Sequence, residues 1–146
     1  MLIIILQIVV GLVGGIAAAF QAVFSGLMGQ RLGDWESVFF TYVGGGLLIM
    51  AAMFTVKGGG NLANWRELPW YVFLAGPLGL VIIASLSYTV PRLGAATATT
   101  LFVTAWLILS AIIDHFGLFG GVPRPLDLPR LLGFIILLAG TWLVVR

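Results

Sequence analysis

The sequence predicts an all-α fold, a polytopic integral membrane protein with five transmembrane helices. Three observations carry this. Hydrophobic residues make up 61% of the 146-residue chain and charged residues only 8%, against roughly 25% charged in an ordinary soluble domain. Long uncharged segments recur along it, the cleanest being the 19 residues from Ala95 to Ile113, close to the ~20 that a helix needs to cross a hydrocarbon core. No Asp or Glu stands in the middle of any such segment. The expected helices cover about 2–28, 38–56, 70–90, 95–113 and 130–145, in a single transmembrane domain over 1–146.

The opening stretch MLIIILQIVVGLVGG lacks the basic start and polar cleavage context of a signal peptide, so it is expected to stay as the first helix. Gln7, Gly11, Gly14, Ala18, Gln21 and Ser25 follow one another at intervals of four, three, four, three and four, and so share one helical face. Gly11 and Gly15 add a small-xxx-small pair of the kind that lets helices approach closely. A glutamine deep in a bilayer needs a partner, because unsatisfied polar groups there are costly. Gln21 and Ser25 are therefore candidates for the lining of a substrate path. Residues 29–37, GQRLGDWES, are expected as a short polar connection, with Trp35 at the interface.

In the second segment Thr41, Gly45, Leu48, Ala52 and Thr55 share a face, and Gly44-Gly45-Gly46 favours close packing there at some cost in helix propensity. KGGGNLANWRELPW, residues 57–70, predicts a loop. Its glycines are not a phosphate-binding loop, since no Lys-Ser/Thr follows them. Pro69 suits a helix start and Trp70-Tyr71 an aromatic belt, while Gly76-Pro77 and Gly79 predict a kink in the third segment.

The fourth segment carries most of the information. Pro91-Arg92-Leu93-Gly94 predicts a tight break, after which Thr97, Thr100, Thr104, Leu107, Ala111 and Asp114 fall on one face. In lipid such a stripe must face protein or a wet cavity. Asp114 and His115 are adjacent, about 100° apart on a helix, with no serine or cysteine nucleophile at a diagnostic spacing. They are candidates for gating or ion coupling rather than catalysis. Residues 117–130 read as a Gly- and Pro-rich loop, and Pro129 is tolerated in a first turn, which allows the fifth helix to begin at Leu128.

PRLGAAT leading into an apolar helix that ends in IIDHFG, together with FQAVFSGLMGQRLGD in the first segment, resembles the YdcZ-like family of short transporters in the drug/metabolite transporter superfamily. The chain departs from that pattern at Ala105-Trp106, where Gly-Gln is usual, and at Ser25, where asparagine is more frequent. The resemblance implies a secondary transporter of a small metabolite or drug-like molecule in the inner membrane, working by alternating access. It also implies that these five helices are one half of a ten-helix inverted-repeat assembly. The substrate path would then be lined by Gln21, Ser25, Thr41, Tyr42, Thr100, Thr104 and Trp106, whose amide, hydroxyl and aromatic groups suit a small molecule.

Five crossings place Lys57, Arg66, Arg124 and Arg130 on one side and Arg31, Arg92 and Arg146 on the other. Four against three is almost no bias, which permits insertion in both orientations and an antiparallel homodimer. A parallel pair and a heterodimer with a sister chain are the other arrangements open to the chain.

Other function classes fare worse. Scattered basic residues give no nucleic-acid footprint, and one histidine with no cysteine gives neither a metal site nor thiol chemistry. No cofactor motif is present, and no nucleophile constellation supports an enzyme. The alternative to transport is a non-transporting membrane scaffold or accessory subunit whose small-residue faces bind other helices.

Overall fold

The computed structural model describes residues 2–146. Among them every regular element is helical, and five helices are long and apolar enough to cross a membrane. In order these are α1 (Leu2–Leu32), α2 (Asp34–Val56), α3 (Ala75–Leu93), α4 (Ala95–Phe116) and α5 (Leu128–Val145). Short 3-10 turns at Leu62–Glu67, Trp70–Leu74 and Leu118–Gly120 occupy the connections. The chain divides into two compact units, one covering residues 1–92 and the other 93–146.

Helices α1 and α2 are both longer than the sequence suggests at their shared end. The polar stretch 29–37 is almost wholly helical, and the connection shrinks to the single residue Gly33. The cause is local. Gln30, Arg31, Leu32 and Glu36 are good or fair helix formers, and Asp34 and Glu36 sit in the first turn of α2, where negative charge suits the helix dipole. Gly33 stops the helix because its φ of 119° and ψ of 157° lie in a region essentially reserved for glycine. The amide of Gly33 still bonds the Gly29 carbonyl, and the amide of Ser37 already bonds that of Gly33. At 31 residues α1 is roughly 46 Å long, well beyond a ~30 Å hydrocarbon core.

The loop after α2 turns through Gly58, Gly59 and Gly60, all at positive φ. A 3-10 turn at Trp70–Leu74 then leads into α3. Gly76-Pro77 therefore lie in the first turn of α3, directly after the change from 3-10 to α, where a missing N–H costs nothing. Pro91, expected in a break, is inside α3; the break is at Gly94, with φ 83° and ψ 153°. The core of this first unit gathers at one end, around Ala22 and Ser25 of α1, Ser37 and Val38 of α2, and Ile83, Leu86, Ser87 and Val90 of α3.

In the second unit α4 packs along α5. Helix α4 ends in a left-handed cap at Gly117, whose amide bonds the carbonyls of Ile113 and Asp114. Residues 121–127 form no regular element, and Asp127 caps α5 by accepting from the amide of Arg130 at 3.0 Å. The start at Leu128, with Pro129 in the first turn, adds two residues to the span expected from 130.

Candidate functional site

The α4–α5 pair builds the candidate site. From Thr104 onward, the face of α4 marked out by spacing in the sequence is turned to α5. Leu107, Ala111 and Asp114 line a cleft of about 420 Å³, and Arg130, Gly133, Phe134 and Leu137 line it from α5. Most of this lining is apolar; Ser110, Asp114 and Arg130 are the exceptions. Asp114 stands in the last turn of α4 and Arg130 in the first turn of α5, so both charges lie at the same end of the cleft.

At the deep end the walls are tied together. The hydroxyls of Thr104 and Thr141 lie 2.7 Å apart and both residues are buried. Each hydroxyl is also within bonding distance of its own helix, Thr104 of the Thr100 carbonyl at 2.7 Å and Thr141 of the Leu137 carbonyl at 2.8 Å. Two hydrogens serve three contacts, so the bond between helices is made at the expense of one bond within a helix. From Thr104 to Asp114 is ten residues, roughly 15 Å along the helix.

The mouth is shaped by the returning loop. The Asp114 carbonyl accepts from the Arg124 amide at 2.7 Å, and Nδ1 of His115 accepts from the Leu126 amide at 3.0 Å. Leu126 itself lines the cleft. Both residues thus hold the loop that borders the cleft, Asp114 through its carbonyl and His115 through its ring, and Asp114 also lines the cleft.

The other sequence candidates are distributed as follows. Thr100 is half-buried one turn from Thr104, its hydroxyl bonded to the Ala96 carbonyl at 2.7 Å. Trp106 is 61% exposed and stacks edge-on against Phe102, about 200° around α4 from Thr104, so it takes no part in the cleft.

In the first unit Ser25 is fully buried against Ser37. Ser37 donates to the Ser25 carbonyl at 2.9 Å, which leaves the Ser25 hydroxyl to donate to Ser37 Oγ at 2.9 Å. Thr41 is bonded to the Ser37 carbonyl at 2.8 Å, one turn further along α2. Gln21 is exposed, and Tyr42 belongs to a separate groove, with its hydroxyl against Gly79 of α3.

A smaller polar cavity of about 370 Å³ lies beside Asp34, Ser87 and Arg92. There Ser87 donates to Asp34 Oδ1 at 2.8 Å, while the Arg92 guanidinium lies 3.6 Å from the Tyr88 ring centre and bonds the Tyr88 carbonyl.

Several of these residues escape a reading of the sequence. Ser37 was hidden in an apparent loop, and Arg130 read as a loop charge. Thr141 had a signal, being the lone hydroxyl in the apolar run 131–145. Opposite Asp114, the identity of the α5 residues depends on how two helices are set against each other, and no periodicity within either helix reports that.

A family model described as "Putative inner membrane exporter, YdcZ" matches residues 6–143. No curated protein and no solved structure gives a match.

Proposed function

We propose a specific mode of action from one premise: the chain belongs to the YdcZ family of inner-membrane exporters, and is therefore a multi-pass inner-membrane transport protein. In our reading it moves a small metabolite or drug-like molecule outward by alternating access, with the α4–α5 cleft as the binding site. The observation that carries this is the build of the cleft. It has an apolar body of the size used for small ligands, about 420 Å³ within the usual ~300–1,000 Å³. A few polar groups stand at one end, and a hydroxyl pair closes the other. Ionisable groups beside an apolar membrane cleft are rare and mark substrate or ion paths, and Asp114 lines this one.

The working unit in this reading is a pair of chains, an antiparallel homodimer or a heterodimer with a sister chain. Support comes from surfaces left open within one chain. A side chain built at Gly11, Gly14, Gly15, Gly44, Gly45 or Gly46 meets nothing within 4 Å, although small residues in membrane helices characteristically serve close packing. The same faces support the second reading, a scaffold that binds other helices without transport.

Water access separates the two. The chain has no cysteine, so a Ser110→Cys variant in native membranes presents a single thiol to an impermeant maleimide. A transporter labels at this position before the membrane is dissolved. Labelling only after dissolution in denaturing detergent supports the scaffold.

A further inference from the structure

Asp114 and Arg130 stand on different helices at the same end of one cleft, yet among the described residues no ion pair joins them. The nearby acid Asp127 accepts from the Arg130 backbone amide and forms no ion pair with its guanidinium among the described residues. The cleft thus presents one negative and one positive group, each free to take an outside partner. Behind them lies apolar wall, bounded by Leu107 on α4 and Phe134 and Leu137 on α5. Its width comes from Gly133, where an added Cβ would meet nothing within 4 Å. Asp114 and Leu107 are seven residues apart, so the apolar part is roughly 10 Å deep.

Both side chains are exposed; a seated ligand with a single charge would pair with one of them and displace water from the other without replacing it, which costs free energy. A neutral apolar ligand would do this to both. The geometry points to a zwitterionic amphiphile: an ammonium on Asp114, a phosphate or carboxylate on Arg130, and an apolar body between Leu107 and Phe134. This inference rests on the transport reading and names its substrate class. Two sources share that chemistry. One is a bilayer phospholipid with an ammonium headgroup, whose chains would leave the cleft toward the hydrocarbon. The other is a free amphipathic amino acid.

The test is equilibrium binding to the purified full chain in nanodiscs of phosphatidylglycerol, which supplies no competing zwitterion. Four probes are titrated: dihexanoyl phosphatidylethanolamine, L-leucine, hexylammonium and hexyl phosphate. At least one of the first two should bind tenfold or more tighter than either singly charged probe. Asp114→Asn and Arg130→Gln should each lower that affinity at least tenfold. Gly133→Leu should abolish it while helix content by circular dichroism stays unchanged, because the new side chain enters open space.

Binding of phosphatidylethanolamine alone assigns the lipid source, and binding of leucine alone the solute source. Equal affinity for a singly charged probe overturns the inference, as does an Asp114→Asn chain that binds like the parent, or no binding at all. Labelling of Ser110→Cys in the same discs keeps the two readings apart. A water-accessible thiol without zwitterion binding removes the substrate class and leaves transport standing; a protected thiol removes transport itself.

Discussion

Buried hydroxyls do much of the positioning in this protein. The Thr104–Thr141 contact is the clearest case, since both residues are buried and their oxygens lie 2.7 Å apart. Hydrogen bonds between membrane helices are worth less than the low dielectric suggests, about 0.6 kcal/mol on average and up to about 1.7 kcal/mol. Combining Thr104→Val with Thr141→Val should therefore give a coupling energy in that range when unfolding is followed in mixed micelles. Strict additivity of the two changes would mean that the contact contributes nothing.

Gly29 offers a second test at this scale. A methyl group there would collide with Ser87 Oγ and lie 2.9 Å from Asp34 Oδ1, which puts it on the bond joining α3 to α2. Gly29→Ala should destabilise by about 1–3 kcal/mol through overpacking. Adding Ser87→Ala should recover part of that loss, since it removes the struck oxygen; a further loss would contradict the geometry.

How much of the site was legible follows from these same residues. Thr104, Leu107, Ala111 and Asp114 were found by spacing because one helix wall repeats every 3.6 residues. Trp106 belongs to the path that family resemblance implies, and geometry places it on another side of α4.

At the scale of elements, single glycines set the helix boundaries. Gly33 and Gly94 each precede a helix with φ and ψ in a region that other residues avoid. Gly33→Ala should cost about 1–3 kcal/mol. Gly45→Ala provides the contrast, because its Cβ meets nothing within 4 Å and alanine is the better helix former; it should stabilise by up to about 1 kcal/mol. Thermal unfolding of the two variants in monomeric micelles reads both signs. Destabilisation of equal size in both would show that the Gly33 backbone is not the limiting feature.

The existence of five helices was readable from uncharged length alone. Their ends were less so. Polarity and glycine made 29–37 look like a loop, yet its residues continue a helix well and only Gly33 cannot. The register of α4 against α5, and with it the pairing of Asp114 with Arg130 across one cleft, lies outside any local pattern.

For the whole molecule the open question is how a five-helix chain makes a complete path. Assigned to sides by the five expected crossings, its basic residues divide four against three, and charge bias of this kind is what orients a membrane protein. A bias this small permits insertion both ways, and in the reading proposed above two oppositely oriented copies would supply the inverted symmetry on which many transporters are built. Adding positive charge on one side should then convert a mixed population to a single orientation. Leu62→Lys, in the exposed loop after α2, would do this. If activity needs both orientations, transport should fall with it and return when an oppositely biased copy is co-expressed.

The most direct measurement is the sidedness of that loop in the unmodified charge background. Asn61→Cys changes no charge and places the only thiol of the chain at an exposed position. Sealed right-side-out vesicles are treated with an impermeant maleimide, before and after permeabilisation. Our account predicts that about half of the chains label before permeabilisation and the rest after. Labelling of all chains, or of none, before permeabilisation would contradict the antiparallel homodimer.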